Sequence, residues 1–564
     1  MRLKARHAWF LAFTAVFAAL AGFVFWGTWS LGMVPVMPDC PTSFSADRAG
    51  DFIRTWLVNG KFVPGDVIAF VGSPYFWVEL QYAAALFSAA CGMAYFLRGR
   101  GLSRFSAYSA GLLLAFCGYW VTLFSAGHLG WFQWMTYGVF AFGLVDRVLE
   151  KGRLRHSVLL GALVAWGSFY QSDLWLLFTL LTAAYFIFRS LAVRPGWRAW
   201  IVRSLVALIV FAAVGAASFR NAFVNDLSGR DKQIEEGQTV AGDGLSPEER
   251  RWRFVTNWSM PPEDTWEFFK ARVHGDTSCQ MTLTVGQMRR NGIKPYTGRL
   301  GRPLMPSGEE APSGNYRQHS LYVGWLTCLF AVVGVAWAFT SRRGADGAIR
   351  DKVRVCFFFA AAAVVFWLFS MGRYMEMVYK IVYSLPFGDY LRAPVKWHHL
   401  TEFSLVVLAA FGIEFLWKLC GKFGTVPRVL LAAAVFYGVF DLASEARRFC
   451  APHAADTQIG PLQQPLPPDM PSRQEFCDQV RRHGLKPVGT IKQAFRLNDG
   501  STRSLDVLVV EQKTARPEPS VRNRERELKG AAFATAVFST AATVLAVLFL
   551  AVAVCFKPLD RIRI

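Results

Sequence analysis

The amino-acid sequence predicts an all-α polytopic membrane protein with about 12 transmembrane helices, extracytoplasmic loops and a small α/β periplasmic appendage. Hydrophobic residues make up 53% of the 564 residues and include 20 tryptophans, more apolar surface than a soluble fold hides in its core. Apolar runs of roughly 17 to 25 residues, the length that crosses a bilayer, recur along the chain. Lys and Arg cluster in alternate connections between these runs, the positive-inside pattern of polytopic proteins.

The first apolar run covers residues 8–33 and follows a basic amino end. Within it, Ala18–Ala21 resembles the small-residue cleavage site of a signal peptide. The run continues beyond this site and is long enough to cross the roughly 30 Å hydrocarbon core. We therefore expect it to be retained as the first helix.

Further runs of suitable length follow along the chain. They lie at 76–97, 107–125, 131–146, 156–171, 173–190, 200–218, 320–340, 355–371, 399–418, 427–444 and 530–556. With the amino end inside, every basic connection faces the cytoplasm, whereas the turns at 125–130 and 170–173 contain no Lys or Arg. We expect an inner-membrane protein with both termini in the cytoplasm. Topology thus explains the net charge of +21, and no nucleic-acid partner is expected.

This topology divides the chain into five parts. They are an amino-terminal bundle 1–218 with first outer loop 34–75, a large outer loop 219–319, a second bundle 320–444 with outer loop 372–398, a small outer domain 445–529, and a final helix and cytoplasmic tail 530–564. In the small outer domain, Gln474–His483 predicts a helix, whereas Thr490–Phe495 and Ser504–Val510 alternate like strands.

Four of the ten cysteines fall in the outer segments, where an oxidising compartment permits disulfides: Cys40, Cys279, Cys450 and Cys477. The pair we favour is Cys450–Cys477. No cysteine spacing fits a zinc site, so no metal ligand is assigned. The sequence also lacks a P-loop, a dinucleotide fingerprint and an HExxH motif, which argues against a nucleotide-driven pump and a zincin protease.

The first outer loop supplies candidate catalytic carboxylates. A reaction at the outer face has no ATP, so it requires a donor delivered in the membrane, such as a lipid-linked phosphosugar. It also requires a base and phosphate-binding groups. The segment 45–58 predicts an amphipathic helix with Asp47 and Asp51 on one face. The pair can orient an acceptor or bind a divalent cation. Alternatively, Asp47 follows a Ser45 cap and Asp51 pairs with a neighbouring arginine.

A second cluster lies directly before the span at 399–418. Arg392 and Lys396 can straddle a phosphate, with His398 or His399 as a further donor. Cations also gather at membrane interfaces because they snorkel to the headgroups. The prolines and glycine around Arg392 fix the backbone and favour a positioned site.

The third candidate is His128, in an outer turn expected at the same depth as the other two clusters. A histidine in a turn is more often a local hydrogen-bonding group than a catalyst. Asp173, in the next outer turn, is interpreted as a helix cap. Glu79 and Glu414 are the acidic residues noted inside the apolar runs.

Four stretches resemble the GT-C superfamily of integral-membrane glycosyltransferases, and within it the YfhO-like bacterial membrane proteins. They are Ser125–Tyr137, Thr256–Asp264, His319–Gly324, and Leu385–Pro394 before a helix containing Glu414. The resemblance implies a polyprenyl-phosphate-linked sugar donor and an acidic base or metal contact in the first outer loop. The matching residues are Asp51 or Asp47 for the acid, and Arg392, Lys396 and His128 for the donor phosphate.

Three functional hypotheses follow. The leading one is transfer of a sugar from a polyprenyl-phosphate donor to an extracytoplasmic glycan or lipid acceptor by single displacement, with Asp51 as base and Arg392 at the leaving phosphate. The second is an O-antigen ligase or polymerase type of enzyme, with Arg253, Arg272 and His274 of the large outer loop as candidates. The third is a flippase or transporter of lipid-linked saccharide, which requires charged residues deep within several spans.

Overall fold

The computed structural model describes most of the chain. The described residues are 2–29, 74–126, 129–169, 173–221, 245–277, 285–290, 292–305, 307–311, 320–343, 346–385, 388–450, 486–496, 502–511 and 534–550. Within them the protein is mostly helical, and seven helices are long and apolar enough to cross a membrane. The prediction of a helical multi-pass membrane protein is confirmed at this level.

The amino-terminal part contains eight helices within the described ranges. They are α1 (Arg2–Trp29), α2 (Pro74–Gly99), α3 (Arg104–Phe116), α4 (Gly118–Ala126), α5 (Leu129–Lys151), α6 (Leu154–Ser168), α7 (Asp173–Val193) and α8 (Trp197–Asn221). Within the described residues, the apolar runs predicted here fall on helix apart from one break, because a helix satisfies its backbone hydrogen bonds internally.

One predicted span, at 107–125, is divided in two. Helix α3 ends at Phe116, and Cys117 has an extended backbone before α4 begins. The segment 320–323 crosses this break, since Gly118 N–H donates to Tyr322 O over 2.9 Å and Ser320 N–H donates to Thr122 Oγ1 over 3.0 Å. A Cβ atom on Gly118 would lie 2.5 Å from Tyr322 O, so only glycine allows this approach. The predicted span at 320–340 accordingly begins later, at Trp325.

The carboxy-terminal part contains longer helices and an outer layer of short ones. The long helices are α11 (Trp325–Ser341), α12 (Gly347–Ser370), α14 (His398–Lys422), α15 (Thr425–Cys450) and α16 (Ala534–Leu550). The short helices are α9 (Pro247–Val255), α10 (Val285–Arg290), α13 (Glu376–Tyr383) and the 3-10 helices Pro262–Phe268, Gly372–Met375, Gly388–Tyr390 and Pro394–Trp397.

Helices α11 and α14 pack at very short range. A Cβ atom on Gly334 would lie 2.2 Å from Leu408 O, and one on Gly412 would lie 2.0 Å from Phe330 O. Glycine pairs of this kind let two membrane helices bring their backbones together. In a bilayer the hydrophobic effect does not draw helices to each other, so van der Waals contacts stabilise this close packing. Helix α14 is thereby fixed at the centre of the second bundle.

The two sets of connections lie at opposite ends of α12. At its carboxy end, Met260 N–H donates to Ser370 O over 2.9 Å, which joins the large outer loop to the bundle. At its amino end, Lys352 Nζ donates to Gly101 O over 3.1 Å, which joins two of the basic connections. The helix has 24 residues, or about 36 Å at 1.5 Å per residue.

The predicted strands of the small outer domain are present as an antiparallel pair, β1 (Lys486–Arg496) and β2 (Thr502–Glu511). The helix predicted at Gln474–His483 lies outside the described residues. Cys450 is a buried free thiol at the end of α15, so the structure does not support the favoured Cys450–Cys477 disulfide. Cys477 itself lies outside the described residues.

Candidate functional site

The candidate site is built on a sharp turn that precedes α14. Ala393 has a φ of 65°, a left-handed conformation that is uncommon for a residue with a side chain. Two backbone hydrogen bonds fix the turn: Ala393 N–H donates to Val255 O over 3.0 Å, and Val395 N–H donates to Trp258 O over 2.9 Å. Strained backbone persists only where the surroundings over-determine it, and it concentrates at functional sites.

This turn places Arg392 on an aromatic platform. Its guanidinium carbon lies 5.2 Å from the ring centre of Phe254 and 5.4 Å from that of Trp258. The side chain is partly exposed. Stacking engages the face of a guanidinium and leaves its planar N–H edge in a fixed direction, which suits two-point binding of a phosphate. The large outer loop therefore orients a cation contributed by the loop 372–398.

Lys396 is buried, with only 4% of its surface exposed, and forms an ion pair with Asp173 at the first turn of α7. Asp173 therefore does more than cap a helix, because it neutralises a buried ammonium group. The pair ties α7 to the turn that bears Arg392. Contact of Lys396 with a donor phosphate stays a prediction.

His398 is fully buried and joins three parts of the chain. Its Nε2 atom lies 3.4 Å from Glu402 Oε1 and 3.3 Å from Leu321 O. Glu402 Oε1 also accepts a hydrogen bond from Tyr119 N–H over 3.0 Å. Within the described part of the chain, Glu402 Oε2 and His398 Nδ1 have no hydrogen-bond partner.

Sequence reasoning overlooked Glu402, although it lies four residues after His398 on a helix, a spacing that brings two side chains together. The ring of Phe268 covers His398, with 4.5 Å between the ring centres. His399, the alternative donor, packs on Tyr119 at 4.1 Å instead of facing Glu402.

A second group of ionisable residues lies in the large outer loop next to Phe268. Burial raises the pKa of Glu267 to about 8, and the nearby Asp264 carboxylate raises it further in the same direction. Burial also raises the pKa of Asp264 to about 6, against the opposing effect of a hydrogen bond that Tyr296 donates over 2.8 Å. His274 Nε2 lies 3.6 Å from Asp264 Oδ1. Burial thus favours the protonated form of the Glu267 carboxyl group, as it does for many acids at functional sites.

The other two candidates of this loop have partners of their own. Arg253 donates to Glu249 and to Met305 O. Arg272 lies 3.3 Å from Glu445. The carboxylates Asp264 and Glu267 were not singled out as acids from the sequence. Their hydrophobic surroundings arise from the folding of the loop, which local sequence does not reveal.

Comparison with protein-family models and with curated proteins finds no match for this chain. The resemblance to the GT-C superfamily accordingly remains a hypothesis carried by the motifs themselves. The site geometry described above is the basis for any functional proposal.

The remaining candidates, Asp47, Asp51 and His128, lie outside the described residues. Their approach to Arg392 stays a prediction. Among the described residues, no group of three or more His, Cys, Asp or Glu side chains is arranged to hold a metal ion.

Proposed function

We propose that the protein is a membrane glycosyltransferase that moves a sugar from a polyprenyl-phosphate-linked donor to an extracytoplasmic glycan or lipid acceptor. The supporting observation is the partly exposed guanidinium of Arg392, held on Phe254 and Trp258 beside a strained turn at the rim of an apolar bundle. A fixed cation at that depth is suited to the phosphate of a lipid-linked donor.

In the proposed reaction, an acceptor hydroxyl attacks the anomeric carbon of the sugar. The bond between this carbon and the phosphate oxygen breaks, and the electron pair leaves with the phosphate. Arg392 stabilises the negative charge that develops on this oxygen, since a preorganised donor is most effective where charge appears. The hydroxyl proton passes to Asp51 or Asp47. Single displacement inverts the configuration at the anomeric carbon.

Under this proposal the buried residues position Arg392. The Lys396–Asp173 pair anchors the turn to α7, and the His398–Glu402 pair anchors the start of α14 to α4. We further propose that the chain crosses the bacterial inner membrane twelve times. The basic end and both termini would then lie in the cytoplasm.

One observation favours the ligase or polymerase alternative. The outer loop 219–319 holds Glu267 and Asp264 with raised pKa values beside His274. If these groups carry the chemistry, Glu267→Gln abolishes transfer and Asp51→Asn does not. The transporter alternative has less support. Two charged residues within the long helices, Glu402 and Glu414, accept hydrogen bonds from Tyr119 N–H and Ser103 N–H.

The test uses the full chain in liposomes with a radiolabelled polyprenyl-phosphate sugar and measures product formation. We expect Arg392→Gln to lower the rate about 100-fold or more, the scale of losing one charge-stabilising donor, and Arg392→Lys to recover part of it. We expect Asp51→Asn to abolish transfer without affecting membrane insertion.

A matched control is Lys380→Gln, which removes an exposed cation from the same outer loop. It is expected to retain the wild-type rate. Full activity of Arg392→Gln would refute the proposal. Transport of intact donor without product would instead identify a flippase.

A further inference from the structure

Two neighbouring cavities open at the basic end of the bundle. The first has a volume of about 310 Å³ and is lined by Tyr95, Arg98, Arg100, Asp146, Arg147, Glu150 and Lys151, together with two glycines. The second, of about 460 Å³, shares Glu150 and Lys151 with the first and adds Arg153 and Arg203. Cations outnumber carboxylates six to two in the combined lining. The pair of cavities thus attracts anions.

The two carboxylates of the lining are already engaged. Asp146 pairs with Arg100 over 2.8 Å and with Arg189 over 2.9 Å, and Glu150 pairs with Arg189 over 2.8 Å. Their negative charge is therefore directed toward Arg100 and Arg189. Among the other lining cations, Arg98 donates to Leu102 O, and Arg203 donates to Val148 O and Leu149 O.

Arg147 and Lys151 are the cations best placed to hold a ligand. The Arg147 guanidinium carbon lies 4.1 Å from the ring centre of Tyr95, so its face is stacked and its N–H edge is directed sideways. Lys151 is exposed. Within the described ranges, neither side chain has an ion pair or a hydrogen bond.

The first cavity lies at the end of a partly exposed apolar strip. On α2, Phe87, Cys91 and Tyr95 are partly exposed and lie on one helix face with Arg98, which lines the cavity. At the second cavity, Arg203 of α8 donates to Val148 O and Leu149 O, each over 3.2 Å, which fixes it at the end of α5. A ligand with a charged head and an apolar tail can therefore place its head in the cavities and its tail along α2.

We propose that these cavities bind the phosphate headgroup of an anionic membrane lipid, with Arg147 and Lys151 as the principal contacts. Phosphate oxygens accept from guanidinium and ammonium groups, and basic pockets between membrane helices recognise anionic headgroups in this way. The partly exposed apolar face of α2 next to the first cavity favours a lipid over free phosphate. The site lies at the end of the bundle opposite Arg392, so the proposal does not depend on glycosyl transfer.

The experiment titrates the purified full chain, in neutral phosphatidylcholine nanodiscs, with fluorescent phosphatidylglycerol and measures its Kd. We expect the double variant Arg147→Gln/Lys151→Gln to bind about 30-fold more weakly, since each cation near an anionic lipid contributes about a factor of five. The matched control is Arg343→Gln/Lys422→Gln, which removes two exposed cations from the same end of the bundle away from the cavities. It is expected to stay within about twofold of wild type.

Each other outcome overturns the proposal. Equal weakening by the control pair would indicate general surface attraction, and an unchanged Kd in the cavity variant would exclude the site. Complete competition by millimolar inorganic phosphate would identify a site for free phosphate. If the double variant does not elute as a monodisperse species, the single change Lys151→Gln, at an exposed side chain, replaces it with an expected loss of about fivefold.

Discussion

The two ends of the helical bundle use buried charge differently. At the basic end, Arg100 and Arg189 form a network with Asp146, Glu150 and Asp351, in which each carboxylate contacts both arginines. At the outer end, Lys396 has Asp173, but His398 and Glu402 each leave one polar atom without a hydrogen-bond partner among the described residues.

This difference separates a structural role from a chemical one. A network of shared ion pairs holds helices in one arrangement, here α2, α5, α7 and α12. A partly paired cluster costs stability and is retained where its groups are needed for another purpose. Under the proposed function, the basic end anchors the bundle and the outer end positions Arg392.

The largest expected effect is at the basic end. Arg189→Met removes one of the two buried cations that contact Asp146, Glu150 and Asp351, which costs about 3–5 kcal/mol of stability. The measurement is thermal unfolding of the full chain in detergent, followed by tryptophan fluorescence. The exposed Lys422→Met serves as control and is expected to change stability by less than about 0.5 kcal/mol. Equal effects of the two changes would remove the distinction between anchoring and surface charge.

A smaller effect is expected for the outer ion pair. Lys396→Met alone removes the ion-pair partner of Asp173, whose side chain is only 10% exposed. This loss is expected to lower the free energy of unfolding by about 3 kcal/mol. The double variant Lys396→Met/Asp173→Leu removes both charges and is expected to recover most of this loss, because apolar replacement of a buried pair is often neutral. A double-mutant cycle compares the two single variants with the double variant in the same unfolding measurement. It gives the coupling free energy between Lys396 and Asp173. Simple additivity of the two losses would show that the pair does not anchor the turn.

A third expected effect concerns pH. The pKa of Glu267 is raised by burial from 4.5 to about 8, so the folded state keeps a proton that the unfolded state has released between these values. Stability therefore falls as pH rises through this window, by at most about 1.4 kcal/mol per pH unit for one proton.

Glu267→Gln cannot ionise, so it is expected to flatten this decline. Asp264, whose pKa is also raised, leaves a residual slope at lower pH. The measurement compares melting temperatures from pH 5 to 8.5 for the variant and the wild type. Identical slopes would show that Glu267 titrates normally and would weaken the case for a proton donor in the outer loop.

The positions of the helices could be predicted from sequence because apolar runs of this length are a local property. Partnerships between distant residues could not. In the sequence, Arg189 is one of several basic residues in a connection predicted to be cytoplasmic. The structure instead buries it between Asp146 and Asp351. Likewise, the placement of Arg392 next to a rigid turn was predicted from nearby prolines, but its aromatic platform comes from Phe254 and Trp258, residues of another loop.

The interruption between α3 and α4 has a consequence for biosynthesis. The amide of Gly118 obtains its acceptor from Tyr322, a residue that the ribosome adds much later. At translation rates of 5–20 residues per second the delay is roughly 10 to 40 s. During this interval the nascent segment must rely on water, the insertion machinery or a chaperone for that hydrogen bond. Maturation of the first bundle therefore awaits emergence of the second.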